Sequence, residues 1–349
     1  LRRRMYNIFM DICDLKSKNV LVTGAAGFIG FHTAKRLLMT GISVAGFDNL
    51  CDYYDVSLKE ARLHELESAA KPQNTSEPPV FTFIRADLAD KAALEKTFNE
   101  HKPDAVIHLG AQAGVRYSID NPDIYVRSNL VGFVNILECC RRFETKHLLY
   151  ASSSSVYGSN EKQPFSVNDR TDNPISLYAA TKKSNELMAY TYAHLYGIPI
   201  TGMRFFTVYG PWGRPDMAPM LFMDAIYNGK PLKVFNNGDM KRDFTYVDDA
   251  VDSIVALIDK SAAMFAENIP YKLYNIGNNR PEKLLDFIAL LEEYSGKKAI
   301  KEMHPLQPGD VKETYADIGE LIRDTGAAPK TPLGEGLKDF VKWWIGYYA

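Results

Sequence analysis

The chain has 349 residues, 46% hydrophobic and 24% charged, with a formal net charge of −2. This is globular composition, and the length suits two domains or one large domain with an appended lobe. The small charge removes the electrostatic case for non-specific nucleic-acid binding, and no apolar run approaches the ~20 residues of a membrane-spanning helix.

Residues 1–17 open with Leu1-Arg2-Arg3-Arg4 and are expected to form a flexible N-terminal arm, since the stretch from Met5 to Asp14 is too short and polar for a signal-peptide core. The cysteines, Cys13, Cys51, Cys139 and Cys140, lack metal-site spacing. No metal is expected, and they read as reduced thiols of a cytoplasmic protein. Residues 71–79, with three prolines among small polar groups, read as a surface loop.

The β-branched run Asn19-Val20-Leu21-Val22-Thr23 leads straight into Gly24-Ala25-Ala26-Gly27-Phe28-Ile29-Gly30, and an amphipathic helix comes next. Strand, glycines and helix in that order are the context of a dinucleotide site. One glycine permits the tight turn, another admits backbone to a pyrophosphate, and the third lets helix and strand pack closely. The helix N-terminus then offers free N–H groups to phosphate. A second strand at 42–47 ends at Asp48, 24 residues after Gly24, where an acid meets ribose hydroxyls and favours NAD over NADP.

Further strands are expected at 80–85, 105–109, 147–151, 199–204 and 272–276, with helices at 122–142 and 176–196 between them. Alternation of this kind implies a parallel sheet with ligands beyond the carboxyl ends of its strands. The regular alternation stops at Pro211. After it, helices are expected at 217–229, 247–260, 281–294 and 333–345, with a short strand at 233–235. The fold class is therefore α/β, a Rossmann-type doubly wound parallel sheet with a smaller mixed α/β lobe. The expected division is 18–210 for the nucleotide domain, rejoined by about 241–280, with 211–240 and 281–349 forming the lobe.

Chemistry concentrates between Tyr150 and Lys182. Tyr178 and Lys182 are four residues apart, so on a helix they share a face. A phenol with a pKa near ~10 is a poor base, and a neighbouring cation lowers that pKa. The pair is therefore expected to act as acid and base. It stands downstream of an apolar run that ends in Ser152, Ser153, Ser154 and Ser155. Arg214, in a loop stiffened by Pro211 and Pro215, is a candidate for gripping a substrate carboxylate through two parallel hydrogen bonds.

These motifs, with Asp87-Leu88, Arg204 to Pro211 and Arg242 to Asp249, resemble the extended short-chain dehydrogenase/reductase family and, within it, the nucleotide-sugar epimerases. The likeness covers about residues 18–345. The stretches Asp48 to Asp55 and Trp212 to Ala218 look most like the UDP-glucuronate 4-epimerase group. The resemblance implies Tyr178, Lys182 and Ser153 as catalytic residues. It implies NAD bound by Gly24, Ala26, Gly27, Phe28, Ile29, Gly30, Asp48, Asn49, Asp87, Leu88, Leu109, Gly110, Ala111, Gln112 and Asn129, with Tyr178 and Lys182. It implies a UDP-sugar held by Ser153, Ser154, Ser155, Thr207, Arg214, Val234, Phe235, Arg242 and Asp310. In this reading Lys182 holds the nicotinamide ribose and lowers the Tyr178 pKa, Arg242 binds the diphosphate and Asp310 the uridine ribose. A homodimer through the helices near 122–142 and 176–196 is also implied.

The expected reaction is 4-epimerisation of UDP-glucuronate to UDP-galacturonate through a 4-keto sugar. Dehydratases of this family carry an Asp-Glu pair where Ser154 and Ser155 stand, and decarboxylases commonly carry Glu at the second position. Epimerisation of a neutral UDP-hexose or UDP-N-acetylhexosamine is the alternative. A non-catalytic NAD-binding sensor is the reading from a different class.

Overall fold

The computed structural model describes residues 19–71, 78–260, 268–306 and 312–349. The N-terminal arm, most of the 71–79 loop and Asp310 lie outside the described residues. The first half runs β1 (Val20–Thr23), α1 (Phe28–Met39), β2 (Val44–Asp48), α2 (Val56–Ala69), β3 (Phe81–Arg85), α3 (Lys91–His101) and β4 (Ala105–His108). It continues with α4 (Gly132–Arg142), β5 (His147–Ser153), α5 (Leu177–Tyr196), β6 (Ile200–Phe205) and β7 (Thr207–Tyr209). Then come α6 (Ala218–Tyr227), β8 (Pro231–Val234), β9 (Lys241–Tyr246), α7 (Val247–Asp259), β10 (Tyr271–Ile276) and β11 (Pro281–Lys283). The chain closes with α8 (Leu284–Ser295), β12 (Ile300–Met303), β13 (Glu313–Thr314), α9 (Gly319–Thr325) and α10 (Leu333–Tyr348).

Seven strands form one parallel sheet in the order β3-β2-β1-β4-β5-β6-β10. All four residues of β1 are buried because both faces are covered. Val20 and Val22 join the apolar cluster of α1 and α7, while Leu21 joins that of α3, α4 and α5. Helices on both faces make the sheet doubly wound, and the reversal of strand order between β1 and β4 opens a crevice at their carboxyl ends. A second core packs α6, α8 and α10 against β8 and β9, around Met223, Phe287, Leu337 and Phe340.

Several sequence expectations change. The helix expected over 122–142 runs through those residues, but it is not α-helical throughout: Val126–Val131 is a π-helical turn between Pro122–Tyr125 and α4, which begins at Gly132. The π-turn carries Asn129 inward, where its side chain bonds to the Gln112 backbone. Residues 281–283 form β11, antiparallel to β9, and only from Leu284 does the chain become helical. The strand expected at 233–235 is β8, Pro231–Val234; Phe235 starts a 3-10 turn in which Asn236 and Asn237 take positive φ. Strand β9, placed by sequence with the nucleotide half, pairs with β7, β11 and β13 in a separate small sheet.

Beneath the carboxyl ends of β5 and β6 lies a buried ion pair. Arg204 donates from Nε and Nη2 to the two Glu186 oxygens (2.8 and 2.9 Å), and Ser152 Oγ donates to the same carboxylate (2.7 Å). Burial opposes the Glu186 charge, but the Arg204 hydrogen bonds outweigh it and hold the pKa below the usual carboxylate range. Glu186→Gln leaves the guanidinium unpaired in the core. The expected loss is about 3–5 kcal/mol in urea unfolding.

Candidate active site

The β1–α1 turn is built for close approach. Gly24 takes φ +70°, and a Cβ there would lie 2.7 Å from the Gly110 nitrogen. A Cβ at Gly30 would collide with the Gly24 carbonyl oxygen. Helix α1 begins at Phe28 with no side-chain cap on Gly27, so Phe28, Ile29 and Gly30 head a first turn whose N–H groups have no intrahelical acceptor. Asp48 ends β2; its carboxylate accepts from the nitrogens of Ala26 (3.2 Å) and Leu50 (2.8 Å). Asn49 Nδ2 reaches Asp87 Oδ2 (3.5 Å), and Asp87 Oδ1 accepts from Ala89 N (2.8 Å). Leu88 packs at the Gly110 Cα.

Leu109, Gly110, Ala111 and Gln112 continue from β4 along the crevice floor. Gln112 N donates to Asn129 Oδ1 (2.8 Å), and Asn129 Nδ2 donates back to Gln112 O (2.9 Å) and to Thr181 Oγ1 (3.1 Å). This network ties the floor to helix α5, which carries Tyr178 and Lys182. A floor of small residues, an uncapped helix start and a carboxylate at the end of β2 together fit a dinucleotide.

Ser153 ends β5 at the crevice, facing Tyr178 at the start of α5, and its hydroxyl reaches the Tyr178 phenol. Ser155 donates twice to Ser153 Oγ, from its backbone nitrogen (3.2 Å) and its hydroxyl (2.9 Å). With both acceptor positions used, the Ser153 proton is directed outward, towards the phenol. Ser155→Ala removes one of these constraints. It is expected to lower kcat roughly tenfold with KM little changed, as steady-state kinetics would measure.

Lys182 has a backbone partner that its spacing from Tyr178 does not show. Its Nζ donates to the Ala151 carbonyl (2.8 Å), and burial lowers its pKa to about 8. Burial raises the Tyr178 pKa; the Ser153 hydrogen bond and the positive charge of Arg214 oppose that rise. Arg214 is thus a cation near the phenol, and Lys182 is anchored to the strand backbone beside it.

Arg214 forks onto Asp216, Nε to Oδ1 (3.0 Å) and Nη2 to Oδ2 (2.5 Å). Tyr53 also donates to Asp216 Oδ2 (3.0 Å). Arg62, fully buried on α2, clamps this loop to the glycine turn, donating to the carbonyls of Ala26 (2.8 Å) and Trp212 (2.6 Å) and to the Tyr54 hydroxyl (2.7 Å). Thr207 begins β7, half-buried, and Ser154 opens the 3-10 turn after β5. Val234 ends β8 in the lobe core. The Phe235 ring has the Arg116 guanidinium 5.8 Å from its centroid. Arg242 stands on β9 and donates to the carbonyls of Lys241 (2.9 Å) and Lys312 (3.2 Å). Among the described residues, no group of three or more His, Cys, Asp or Glu side chains could hold a metal ion, and no helix is long and apolar enough to cross a membrane.

A glycine-floored crevice at the ends of parallel strands, with Ser153, Tyr178 and Lys182 at its mouth, defines a dinucleotide-dependent enzyme acting at a hydroxyl-bearing carbon. The chain belongs to the NAD dependent epimerase/dehydratase family, whose model matches residues 20–277. It is 52% identical over 340 residues to Protein CapI of Staphylococcus aureus, covering 94% of this chain and 99% of that protein. It is 47% identical over 340 residues to the probable UDP-glucuronate 4-epimerase of Rhizobium meliloti strain 1021, covering 94% and 97%. Its fold matches the crystal structure of the Bacillus cereus UDP-glucuronic acid 4-epimerase in complex with UDP-glucuronic acid and NAD, with a TM-score of 0.84, 34% identity and coverage of 95% and 100%.

The sequence reading missed Asp216, Tyr53 and Arg62 as members of the site. Tyr53 and Asp216 lie within the two stretches that carry the family likeness, so that likeness was the available signal. Arg62 sits on a helix of weak amphipathic pattern, and nothing in sequence shows that its partners lie on the loops around Ala26 and Trp212.

Proposed function

We propose that this protein interconverts UDP-glucuronate and UDP-galacturonate by NAD-dependent inversion at C4. The observation that carries this reading is Arg214, a carboxylate-binding group close enough to Tyr178 to influence its ionisation. The relatives named as UDP-glucuronate 4-epimerases support it.

NAD bound in this crevice would supply reversible hydride exchange with sugar C4. The chain supplies the rest. Tyr178 takes the 4-hydroxyl proton, and the outward Ser153 proton hydrogen-bonds the 4-oxygen. Lys182 holds the nicotinamide ribose. Asp48 and Asn49 take the adenosine ribose hydroxyls, and the Gly24–Gly30 turn takes the pyrophosphate. Arg214, Ser154, Ser155 and Thr207 surround the sugar. Val234 and Phe235 face the uracil, Arg242 neutralises the diphosphate and Asp310 holds the uridine ribose. Residues 18–210 with about 241–280 form the NAD-binding domain, and residues 211–240 with 281–349 form the sugar-nucleotide lobe, while Ser153, Ser154, Ser155, Thr207 and Arg242 reach the sugar nucleotide from the NAD-binding side.

The protein works as a homodimer through the helical faces near 122–142 and 176–196, where Val126, Val131, Val134, Leu187, Tyr190 and Leu195 are exposed. A cytoplasmic setting suits the free thiols of Cys51, Cys139 and Cys140. The direct test incubates the protein with UDP-glucuronate, UDP-glucose and UDP-N-acetylglucosamine and follows products by NMR. UDP-galacturonate is the expected product, and turnover of the neutral sugars alone overturns the reading. Arg214→Ala should cut kcat/KM for UDP-glucuronate by about 100-fold, because it removes a charged bidentate partner.

A further inference from the structure

We infer that Asp216 and Tyr53 form a positioning dyad that aims Arg214, and through it decides whether the uronate carboxyl group is kept or lost during turnover. The inference rests on the uronate-epimerase reading above.

A guanidinium has two edges that can each grip a carboxylate. Asp216 takes one of them, the edge formed by Nε and Nη2. The other edge, formed by Nη1 and the second Nη2 proton, carries no hydrogen bond among the described residues. Arginine is otherwise a long, rotamer-rich side chain. Held along one edge, it points the other in a single direction.

Asp216 is itself held. Tyr53 donates to Oδ2, the same oxygen that accepts from Arg214 Nη2. The Tyr53 ring packs on Tyr117 with centroids 4.7 Å apart. Its hydroxyl lies against Gly114, where an added Cβ would come within 2.7 Å. Burial, then the Asp216 charge, pushes the Tyr53 pKa up to about 12, so it stays a donor. Tyr53 lies just beyond Asp48 and Asn49, whereas Asp216 lies on the loop entering the lobe. The dyad therefore joins the loop after β2 to the loop entering the lobe.

Asp216 neutralises Arg214 locally, so the uronate is read by the direction of the free edge more than by net charge. Direction matters because the 4-keto uronate is a β-keto acid. Loss of CO₂ breaks the C5–C6 bond and moves its electron pair into the enolate of the 4-ketone. C5 then takes a proton, giving a UDP-4-keto-pentose, with the electron pair already removed from C4 unreturned. Cleavage requires C5–C6 to align with the carbonyl π system. A carboxylate held with C5–C6 near the carbonyl plane is protected, and one on a wandering guanidinium is not.

The test compares the full-length Asp216→Asn, Tyr53→Phe and Arg214→Ala proteins with the parent on UDP-glucuronate. It follows UDP-galacturonate by NMR, labelled CO₂ release and, by calorimetry, affinity. Asp216→Asn should keep its UDP-glucuronate Kd within about threefold, lose about tenfold in kcat and raise the CO₂-to-epimer ratio about tenfold. Tyr53→Phe keeps the ring and removes only the hydroxyl, and should shift the ratio the same way by a smaller factor. An unchanged ratio in both variants overturns the dyad. If Arg214→Ala is impaired while both dyad variants behave as the parent, the dyad fails and the uronate reading stands. If Arg214→Ala behaves as the parent, the uronate reading fails with it.

Discussion

Tyr178→Phe is expected to lower kcat for UDP-glucuronate by about 10³–10⁴-fold while leaving UDP-glucuronate affinity close to that of the parent, as stopped assays and calorimetry would measure. The phenol meets Ser153, whose proton Ser155 already directs outward. The two positions that follow that serine, Ser154 and Ser155, offer no carboxylate to take over proton transfer. Phenylalanine keeps the ring against Tyr125, 6.1 Å away between centroids, so packing is retained. The pH profile is set by the same geometry. Burial holds the Tyr178 pKa above its ordinary value. The proton-accepting form grows as pH rises, and kcat/KM should rise with it. Arg214 opposes the burial effect, so Arg214→Ala should move that rise to higher pH. Retained turnover in Tyr178→Phe, or an unmoved pH profile in Arg214→Ala, contradicts these assignments.

The second large effect concerns stability and activity in opposite directions. Lys182 is buried, and its pKa is lowered from 10.5 to about 8. Above pH 10.5 the amine is neutral both folded and unfolded, and below about 8 it is charged in both. Between those values the unfolded chain binds more protons, so this group's contribution to stability rises with pH. At pH 7 the folded protein therefore carries the full cost of a buried ammonium, on the order of 3 kcal/mol. Lys182→Met removes that cost and loses the hydrogen bond to Ala151, a net gain on the order of 2 kcal/mol. The same change removes the group proposed to hold the nicotinamide ribose, and kcat should fall by about 100-fold or more. Urea unfolding and steady-state kinetics on one preparation test both halves. A Lys182→Met protein less stable than its parent contradicts the burial argument.

Much of the nucleotide half was legible because its signals are local. Runs such as Val20 to Thr23 are buried on both faces, which selects continuous apolar β-branched residues, and the strand expected at 272–276 does join the main sheet as β10. The glycine spacing was readable because each glycine answers a contact within a few residues or across one strand pair. The π-turn at Val126–Val131 inside the helix expected over 122–142 was not readable. Asn129 is drawn inward by Gln112 and Thr181, 17 and 52 residues away, and a local helical pattern contains neither. Residues 281–283 read as helical because their partner strand, β9, lies about forty residues earlier. The backbone partner of Lys182 was not readable for a related reason. Helical spacing puts it on the same face as Tyr178, but the Ala151 carbonyl decides where its amine points.

The sequence by itself determined the alternation of strands and helices in the nucleotide half, the glycine turn and the set of hydroxyls, phenol and amine proposed to carry the chemistry. These depend on periodicity and backbone constraint, which act between near neighbours. Only the tertiary structure decided which charge faces which group: Arg214 towards Tyr178, Asp216 and Tyr53 behind Arg214, Glu186 under Arg204, and Arg62 across two loops. A charged side chain has several possible partners along the sequence. Burial makes an unpaired choice expensive, and the packing of distant elements selects among them.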